Sequence, residues 1–200
     1  MHALLVVAHP RTDSLTARVA ARARESLETS GYTVDLLDLH AEGFDPRMTP
    51  EDEPDWTDRD KAYSPEVRAH MARVEAADAI VVVFPVWWFG LPAILKGWID
   101  RVWNYGFAYG RRPARLAAKR MHWIGLTGYT EEVFVEGGWN DLLERTLKVG
   151  VSAFCAIEDT EVTLIHGAVP DTPTPAHPER ILTTAANALT AFLTPTPTTR

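Results

Sequence analysis

Three adjacent aromatic residues, Trp87, Trp88 and Phe89, are the feature of this sequence best suited to binding chemistry. They lie between a predicted strand at residues 79–84 and a predicted helix at residues 92–103, so they belong to a strand-to-helix loop. Such connections lie on the surface and are normally polar. The rings therefore need a cover, which is either another part of the protein, such as a helix or a second subunit, or a planar cofactor.

The segment from residue 9 to residue 16 is suited to binding phosphate. It contains Ser14 and Thr16 and leads from the first predicted strand into a helical pattern. Hydroxyls and backbone N–H groups at the amino end of a helix form a phosphate site, although the same hydroxyls serve more often as ordinary helix caps. Asp13 would repel a phosphate unless it points to solvent, and Arg11 can offset its charge. A phosphate site together with an aromatic wall indicates a flavin nucleotide.

The elements that position these two loops alternate between strand and helix. Strands are predicted within residues 3–8, 33–39, 79–84, 121–127 and 154–165; helices are predicted from residue 15 to a stop at Gly31, from residue 65, and within residues 92–103, 140–149 and 179–193. The alternation implies right-handed crossovers and a parallel sheet with helices on both faces. Five units fit a doubly wound α/β fold with the flavodoxin-like strand order 2-1-3-4-5, whose ligand lies beside strands one and three. That order would bring the two loops together.

Length and composition favour one domain at residues 1–193, followed by a disordered Thr/Pro tail at residues 194–200. The 200 residues are 46% hydrophobic and 24% charged, which suits a sizeable core. The net charge of -7 argues against nucleic acid and anionic membranes as partners. No run approaches the ~18 apolar residues of a membrane span, and the first apolar run lacks the preceding basic residue of a signal peptide. A single cysteine permits no intrachain disulfide, so a cytoplasmic protein is expected.

Other chemistries have less support in the residues. The seven histidines show no paired spacing typical of a metal site, so no metal is predicted. The Gly-x-Ser-x-Gly nucleophile motif of hydrolases is absent. Cys155 lies in an apolar context and is predicted in the core.

Residues 85–103, PVWWFGLPAILKGWIDRVW, followed by GFAYG at residues 106–110, resemble the flavin-ring segment of the NAD(P)H:quinone oxidoreductase family. This family includes the small ancillary oxidoreductases of bacterial potassium-efflux systems. The similarity covers nearly the whole chain up to about Ile165. Its further matching motifs are Ala8-His9 with Ser14-Leu15-Thr16, Asp38-Leu39-His40 with Phe44-Asp45-Pro46, Ser64-Pro65 with Glu75-Ala76-Ala77-Asp78, Thr127-Gly128, and Phe154-Cys155.

The resemblance implies a homodimeric flavoenzyme that reduces quinones or similar electron-poor aromatics with electrons from NAD(P)H. It implies FAD as the cofactor, with FMN as the alternative. The phosphates would be held by His9, Ser14, Leu15 and Thr16, and the isoalloxazine ring by Pro85, Val86, Trp87, Trp88 and Phe89. The other edge of the ring would be closed by Thr127, Gly128 and Tyr129. Tyr109 would reach from one subunit toward the partner's substrate pocket, with Trp88 and Phe89 as its floor.

One departure from the family concerns the proton chemistry. In mammalian-type members, a Tyr and a His after the Thr-Gly motif are proposed to steady the reduced flavin. The corresponding residues 129–139 contain no histidine, and Phe134 stands about where the tyrosine would be. Tyr129 is the replacement candidate. Lys96 and Arg101 are expected on the wet side of the third helix, with guidance of the NAD(P)H phosphates as their alternative role.

Two classes of function follow. The first is a two-electron NAD(P)H:acceptor oxidoreductase with ping-pong kinetics, because one pocket would serve both substrates in turn. The second is an interaction protein of the same fold that regulates a membrane potassium-efflux transporter. A flavodoxin carrier is the third option, but its usual Thr/Ser/Gly-dense phosphate loop is missing. Surplus aromatic bulk predicts a twofold dimer with active sites at the interface; the residues concerned are Trp98, Trp103, Tyr105, Phe107 and Tyr109.

Overall fold

A five-stranded parallel β-sheet carries the site. The computed structural model describes residues 1–169, 174 and 176–194 of the chain. The strands are β1 (His2–Val7), β2 (Thr33–Asp38), β3 (Ala79–Pro85), β4 (Arg120–Leu126) and β5 (Asp159–Ile165). Their order is β2-β1-β3-β4-β5, which confirms the predicted doubly wound fold and its strand order.

Strand β3 is the centre of this sheet. All of its residues are buried, as expected for a strand that is covered on both faces. It pairs with β1 on one side and β4 on the other, and the pairs Val7–Val83 and Pro85–Leu126 lie at the carboxyl ends. Because the three strands are parallel, the loops that follow them emerge at the same edge of the sheet.

Helices cover both faces. On one face lie α1 (Leu15–Thr29) and α6 (His177–Leu193), and on the other lie α2 (Pro65–Ala76) and α3 (Ala93–Val102). Successive residues of a strand point to opposite faces. Accordingly, Leu4 of β1 belongs to the core under α2 and α3, and the next residue belongs to the core under α1 and α6.

The connection from β4 to β5 differs from the prediction of one helix at residues 140–149. It contains α4 (Glu131–Glu136), α5 (Trp139–Glu144), a π-helix (Arg145–Ser152) and a short 3-10 helix (Ala153–Cys155). The predicted cap, Asn140, lies inside α5. Gly138 precedes this helix instead, with a φ of 67° in the left-handed region that glycine tolerates. Because the helical path continues to Cys155, β5 begins at Asp159 rather than within residues 154–158.

The boundaries of the last helix and of the tail differ slightly from the prediction. Helix α6 begins at His177, two residues before the predicted start. The predicted disordered tail, residues 194–200, lies outside the described residues except for Thr194. Residues 170–173 and 175 of the Pro/Thr loop also lie outside them. The domain limit at residue 193 stays a prediction.

A buried ion pair holds the long surface segment at residues 44–63 against α3. Arg101, expected on the wet side of α3, is buried, and its Nη2 lies 2.7 Å from Asp52 Oδ2 and 2.8 Å from Glu66 Oε2. Asp52 is also fully buried, and its Oδ1 accepts a hydrogen bond of 2.8 Å from the Ser64 N–H. Burial alone would raise the pKa of Asp52, but the bonds from Arg101 and Ser64 outweigh it, so the pKa is lowered.

Replacing Asp52 by Asn is expected to destabilise the fold by about 3 kcal/mol, because the buried Arg101 guanidinium loses its main counter-charge. Urea denaturation followed by circular dichroism measures the change. Arg47→Gln is the control, since it breaks only the exposed pair with Asp45 and should leave the midpoint nearly unchanged. A wild-type midpoint in the Asp52→Asn protein would contradict the anchoring role of the buried pair.

Candidate active site

A cavity of about 440 Å³ lies at the carboxyl ends of β1, β3 and β4. Here the crossover after β1 turns toward β2 and the crossover after β3 turns toward β4, so the cavity occupies the switch point of the sheet. It brings together many of the predicted site residues, namely His9, Leu15, Thr16, Pro85, Val86, Trp87, Trp88, Phe89, Gly128 and Tyr129. The lining residues that sequence reasoning missed are Leu126, Phe134, Ala168 and Val169.

Three predicted site residues do not line this cavity. Ser14 caps α1, because its Oγ accepts a hydrogen bond of 3.1 Å from the Ala17 N–H. Thr127 is fully buried behind the wall. Tyr109 lies in a different cleft of the same chain. The Ser14 side chain thus acts as a helix cap, which the sequence analysis gave as the alternative to phosphate binding.

The amino end of α1 supplies hydrogen-bond donors. The first N–H groups of a helix have no acceptor within the helix. Ser14 satisfies the N–H of Ala17, whereas Leu15 and Thr16 border the cavity and begin the helix. Arg11 Nε lies 2.9 Å from Asp13 Oδ1, so the aspartate of this loop has the counter-charge expected from the sequence. The loop is thus able to receive a phosphate.

His9 joins the phosphate loop to the aromatic loop. Its Nδ1 lies 3.1 Å from the Arg11 backbone nitrogen and 3.3 Å from the Arg11 carbonyl oxygen, and its ring centroid lies 6.0 Å from that of Trp87. Burial is the main cause that lowers the pKa of His9 below its ordinary value. In the tautomer in which Nδ1 accepts from the Arg11 N–H, the proton of the neutral ring is on Nε2, and Nε2 is then a donor for an anionic group.

The aromatic loop is a tight turn in a strained conformation. Trp87 and Gly90 exchange two backbone hydrogen bonds of 3.1 and 3.0 Å. Between them, Trp88 and Phe89 have φ values of 50° and 55°. Such turns normally contain Asn and Gly, because bulky residues are disfavoured at positive φ. Trp88 is 97% exposed in this turn, so the strain does not improve the packing of the chain.

Phe89 forms the firm part of the aromatic wall. Its ring stacks on Trp139 with a centroid separation of 4.2 Å and lies nearly parallel to Tyr129 at 6.2 Å. Phe134 contacts the same ring at 5.8 Å. Trp139 and Phe134 come from the connection after β4, so they are distant in sequence from the loop that they support. Their contact fixes Phe89, whereas Trp88 stays free to meet a ligand.

His166 is a titratable group that the sequence search missed. It directly follows β5, and its Nδ1 lies 3.1 Å from Thr127 Oγ1, whose hydroxyl donates to the Tyr129 carbonyl at 3.0 Å. Burial lowers the pKa of His166, and the charges of Glu131 and Glu132 oppose this effect. The sequence signal for His166 is a histidine directly after a predicted strand that ends at the same edge of the sheet as the two loops.

Tyr109 belongs to a second, aromatic cleft. Its ring lies 5.2 Å from Phe154 and 6.1 Å from Trp56, and these two rings are 64% and 63% exposed. Three of the aromatic residues that were expected at a dimer interface, Trp98, Trp103 and Phe107, are instead buried within the chain itself.

Cys155 lies beside this cleft and is buried, as predicted, and burial raises the pKa of its thiol to about 12.

The residues of the switch-point cavity fit a flavin nucleotide. The α1 end and His9 offer donors for phosphate, and the wall offers flat apolar surface for a ring. Gly128 leaves room at the other side, since a Cβ there would meet only Val169 at 3.7 Å or more. Among the described residues, no group of three His, Cys, Asp or Glu side chains is placed to hold a metal ion. Within the same part of the chain, no helix is long and apolar enough to cross a membrane.

Comparison with known proteins supports this assignment. The model of the Flavodoxin_2 family, described as a flavodoxin-like fold, matches residues 1–191. A protein of Escherichia coli (strain K12) named uncharacterized NAD(P)H oxidoreductase YcaK is 45% identical over 165 residues, which cover 82% of this chain and 83% of that protein. NAD(P)H dehydrogenase (quinone) 1 of Cavia porcellus is 29% identical over 188 residues, covering 82% and 68% of the two chains.

Among solved structures, the NAD(P)H:quinone oxidoreductase of Methanothermobacter marburgensis superposes with a TM-score of 0.88 at 27% identity and covers 98% of each chain. The chain therefore belongs to the flavodoxin-like Flavodoxin_2 family and, within it, to the NAD(P)H:quinone oxidoreductases, as the sequence resemblance predicted. The prediction of an oxidoreductase enzyme is likewise confirmed.

The strained turn leads to a prediction about Trp88. In flavin-free protein, Trp88→Gly should be more stable than Trp88→Ala by about 1 kcal/mol, because both variants lose the exposed ring and only glycine relieves the positive φ. Urea unfolding of the two variants measures the difference. Equal stabilities, or a less stable glycine variant, would show that the turn does not store strain at this residue.

Proposed function

We propose that the protein is a flavin-dependent NAD(P)H:quinone oxidoreductase that transfers two electrons as a hydride. One observation carries this proposal: a single cavity joins a helix amino end with free donors to an aromatic wall with an exposed ring. The names of the relatives, an NAD(P)H oxidoreductase and an NAD(P)H dehydrogenase (quinone), support the same activity.

The protein supplies binding, orientation and ring stacking to this reaction. A bound flavin would supply the hydride-transfer chemistry between NAD(P)H and the quinone. The N–H groups of Leu15 and Thr16, together with the His9 ring, would bind the phosphates. The aromatic loop orients the ring, and Trp88 forms part of the surface on which each flat substrate stacks.

Proton handling falls to groups at the other side of the cavity. Tyr129 lines the cavity and is 58% exposed, which supports its hydroxyl as the candidate proton donor. Thr127 hydrogen-bonds the Tyr129 carbonyl and so steadies this segment. Phe134 has no proton to give, and it supports the wall instead.

The identity of the flavin is a further part of the proposal. We expect FAD, with FMN as the alternative, on the strength of the family resemblance. Mass spectrometry of the yellow cofactor released by heat distinguishes the two, and the outcome leaves the reaction class unchanged.

Ping-pong kinetics are expected, because the donor and the acceptor would occupy the same stacking position and cannot bind together. Double-reciprocal plots should give parallel lines. In stopped-flow mixing, NADH or NADPH alone should bleach the flavin absorbance at least as fast as turnover, and quinone added afterwards should restore it. Intersecting lines, or bleaching far slower than turnover, would rule out the shared position.

A homodimer is also proposed, with Tyr109 of one subunit directed toward the substrate pocket of the other. The exposed rings of Trp56 and Phe154, next to Tyr109, give the apolar surface that such an interface requires. Light scattering should give twice the 22.3 kDa mass of the chain. Replacing Trp56 and Phe154 together by Glu should give monomers, because burying two carboxylates is costly.

Leu36→Glu is the control for the dimer. Leu36 is an exposed apolar residue of the edge strand β2, away from the cleft, and its replacement should leave the dimer intact. A wild-type chain that has the mass of one subunit at micromolar concentration and is fully active would refute the proposed interface.

The regulatory alternative, a subunit of a potassium-efflux transporter, has support only from the family resemblance. It would be favoured by co-purification with such a transporter together with negligible turnover of NADH and NADPH. The cytoplasmic location expected from the sequence stays a prediction under both functions.

A further inference from the structure

We propose a second binding site, for a small multiply charged anion that carries a diphosphate group, in a basic groove between α2 and two loops. The groove has a volume of about 310 Å³, and its basic residues are Arg59, Lys61, Arg68, Arg111 and Arg115. It shares no lining residue with the switch-point cavity or the aromatic cleft. The proposal therefore stands independently of the proposed oxidoreductase function.

The charge of the groove is opposite to that of the chain. Five basic and two acidic side chains line it, for a net formal charge of +3, whereas the chain as a whole carries -7. Arg111 pairs with Asp60, and Arg115 pairs with Glu75 at 3.0 Å. These two pairs use both carboxylates of the groove.

Three cations are left without a carboxylate partner. Across the described part of the chain, neither Arg59 nor Arg68 forms a salt bridge, and the Lys61 Nζ donates only to the carbonyl oxygen of Glu53 at 2.6 Å. Like charges that converge in a concave site repel one another, and a bound anion would offset this repulsion. An uncompensated cationic groove in an acidic protein is therefore a candidate anion site.

The groove is held in shape before any ligand binds. Arg111 donates to the carbonyl oxygens of Gly106 and Arg59, so it ties the two loops together. A side chain on Gly106 would overlap the Arg59 backbone, which shows how closely the loops pack. Tyr63 donates to the Tyr105 carbonyl oxygen at 2.7 Å and is itself buried. The backbone segments that carry the basic side chains are thus held in place by contacts within the chain.

The chemistry of the groove favours phosphate. Guanidinium groups bind phosphate oxygens through paired, charge-assisted hydrogen bonds. The guanidinium groups of Arg59 and Arg68 can make such bonds, because neither has a carboxylate partner among the described residues. The floor consists of the buried side chains of Met71 and Phe107, which offer no competing acceptor. A volume near the lower limit of small-ligand pockets suits a diphosphate group rather than a large ligand.

Calorimetric titration of the flavin-loaded protein with inorganic pyrophosphate tests the site. The bound flavin keeps the probe out of the phosphate loop of the switch-point cavity. One pyrophosphate should bind per chain at low salt. Arg59→Gln and Arg68→Gln should each weaken binding about tenfold, because each removes one charge-assisted contact. Rising chloride concentration should weaken binding in the wild type more than in either variant.

Arg24→Gln is the matched control. It removes the same charge from an exposed residue of α1 outside the groove, so it should leave pyrophosphate binding unchanged. ADP serves as a second probe: binding tighter than that of pyrophosphate indicates a nucleotide as the source of the diphosphate group, and equal binding indicates a free diphosphate; both support the site. No binding by the wild type, or equal weakening in Arg24→Gln, overturns the proposal. Quinone reduction measured on the same samples reports separately on the proposed function.

Discussion

The parallel pairing of β1 with β3 is the constraint on which the site depends. The pair Val7–Val83 brings the ends of the two strands side by side, and the pattern continues into the loops through the bond of 3.1 Å from Ala8 N–H to the Val83 carbonyl. On the far side, the Val86 N–H donates to the Leu126 carbonyl at 2.8 Å. These backbone bonds fix the roots of the loops. The crossovers then diverge, which leaves a cavity between loops that are 70 residues apart in sequence.

The wall of that cavity combines a rigid part with a strained and exposed part. Trp139 and Phe134 hold Phe89 by ring stacking, so the turn has one anchored ring. The preceding residue, Trp88, has a positive φ, and its ring is almost fully exposed. Backbone strain that no packing contact offsets is typical of ligand sites. The exposed part of the wall thus offers a flat apolar surface and does not complete the core.

The segment at residues 44–63 depends on buried electrostatics. A buried carboxylate and guanidinium are costly to desolvate, and they stabilise the fold only when both are present and hydrogen-bonded. The Asp52–Arg101 pair meets this condition through Ser64 and Glu66. The segment held in this way presents an exposed tryptophan to the aromatic cleft and basic side chains to the groove. One anchoring pair therefore organises two separate surfaces.

The alternation of strands and helices and the two neighbouring loops were predictable from the sequence. They follow from local signals: continuous apolar runs for buried strands, helical spacing, and the rule that parallel strands end at one edge. The strand order was predictable because five such units fit a common doubly wound fold. The contacts between residues far apart in sequence became visible only in the tertiary structure. It buried Arg101 against Asp52, replaced the Asn140 cap by Gly138, stacked Trp139 on Phe89 and placed His166 behind Thr127. No periodicity reports such contacts, because each one joins side chains whose meeting is set by the packing of different elements.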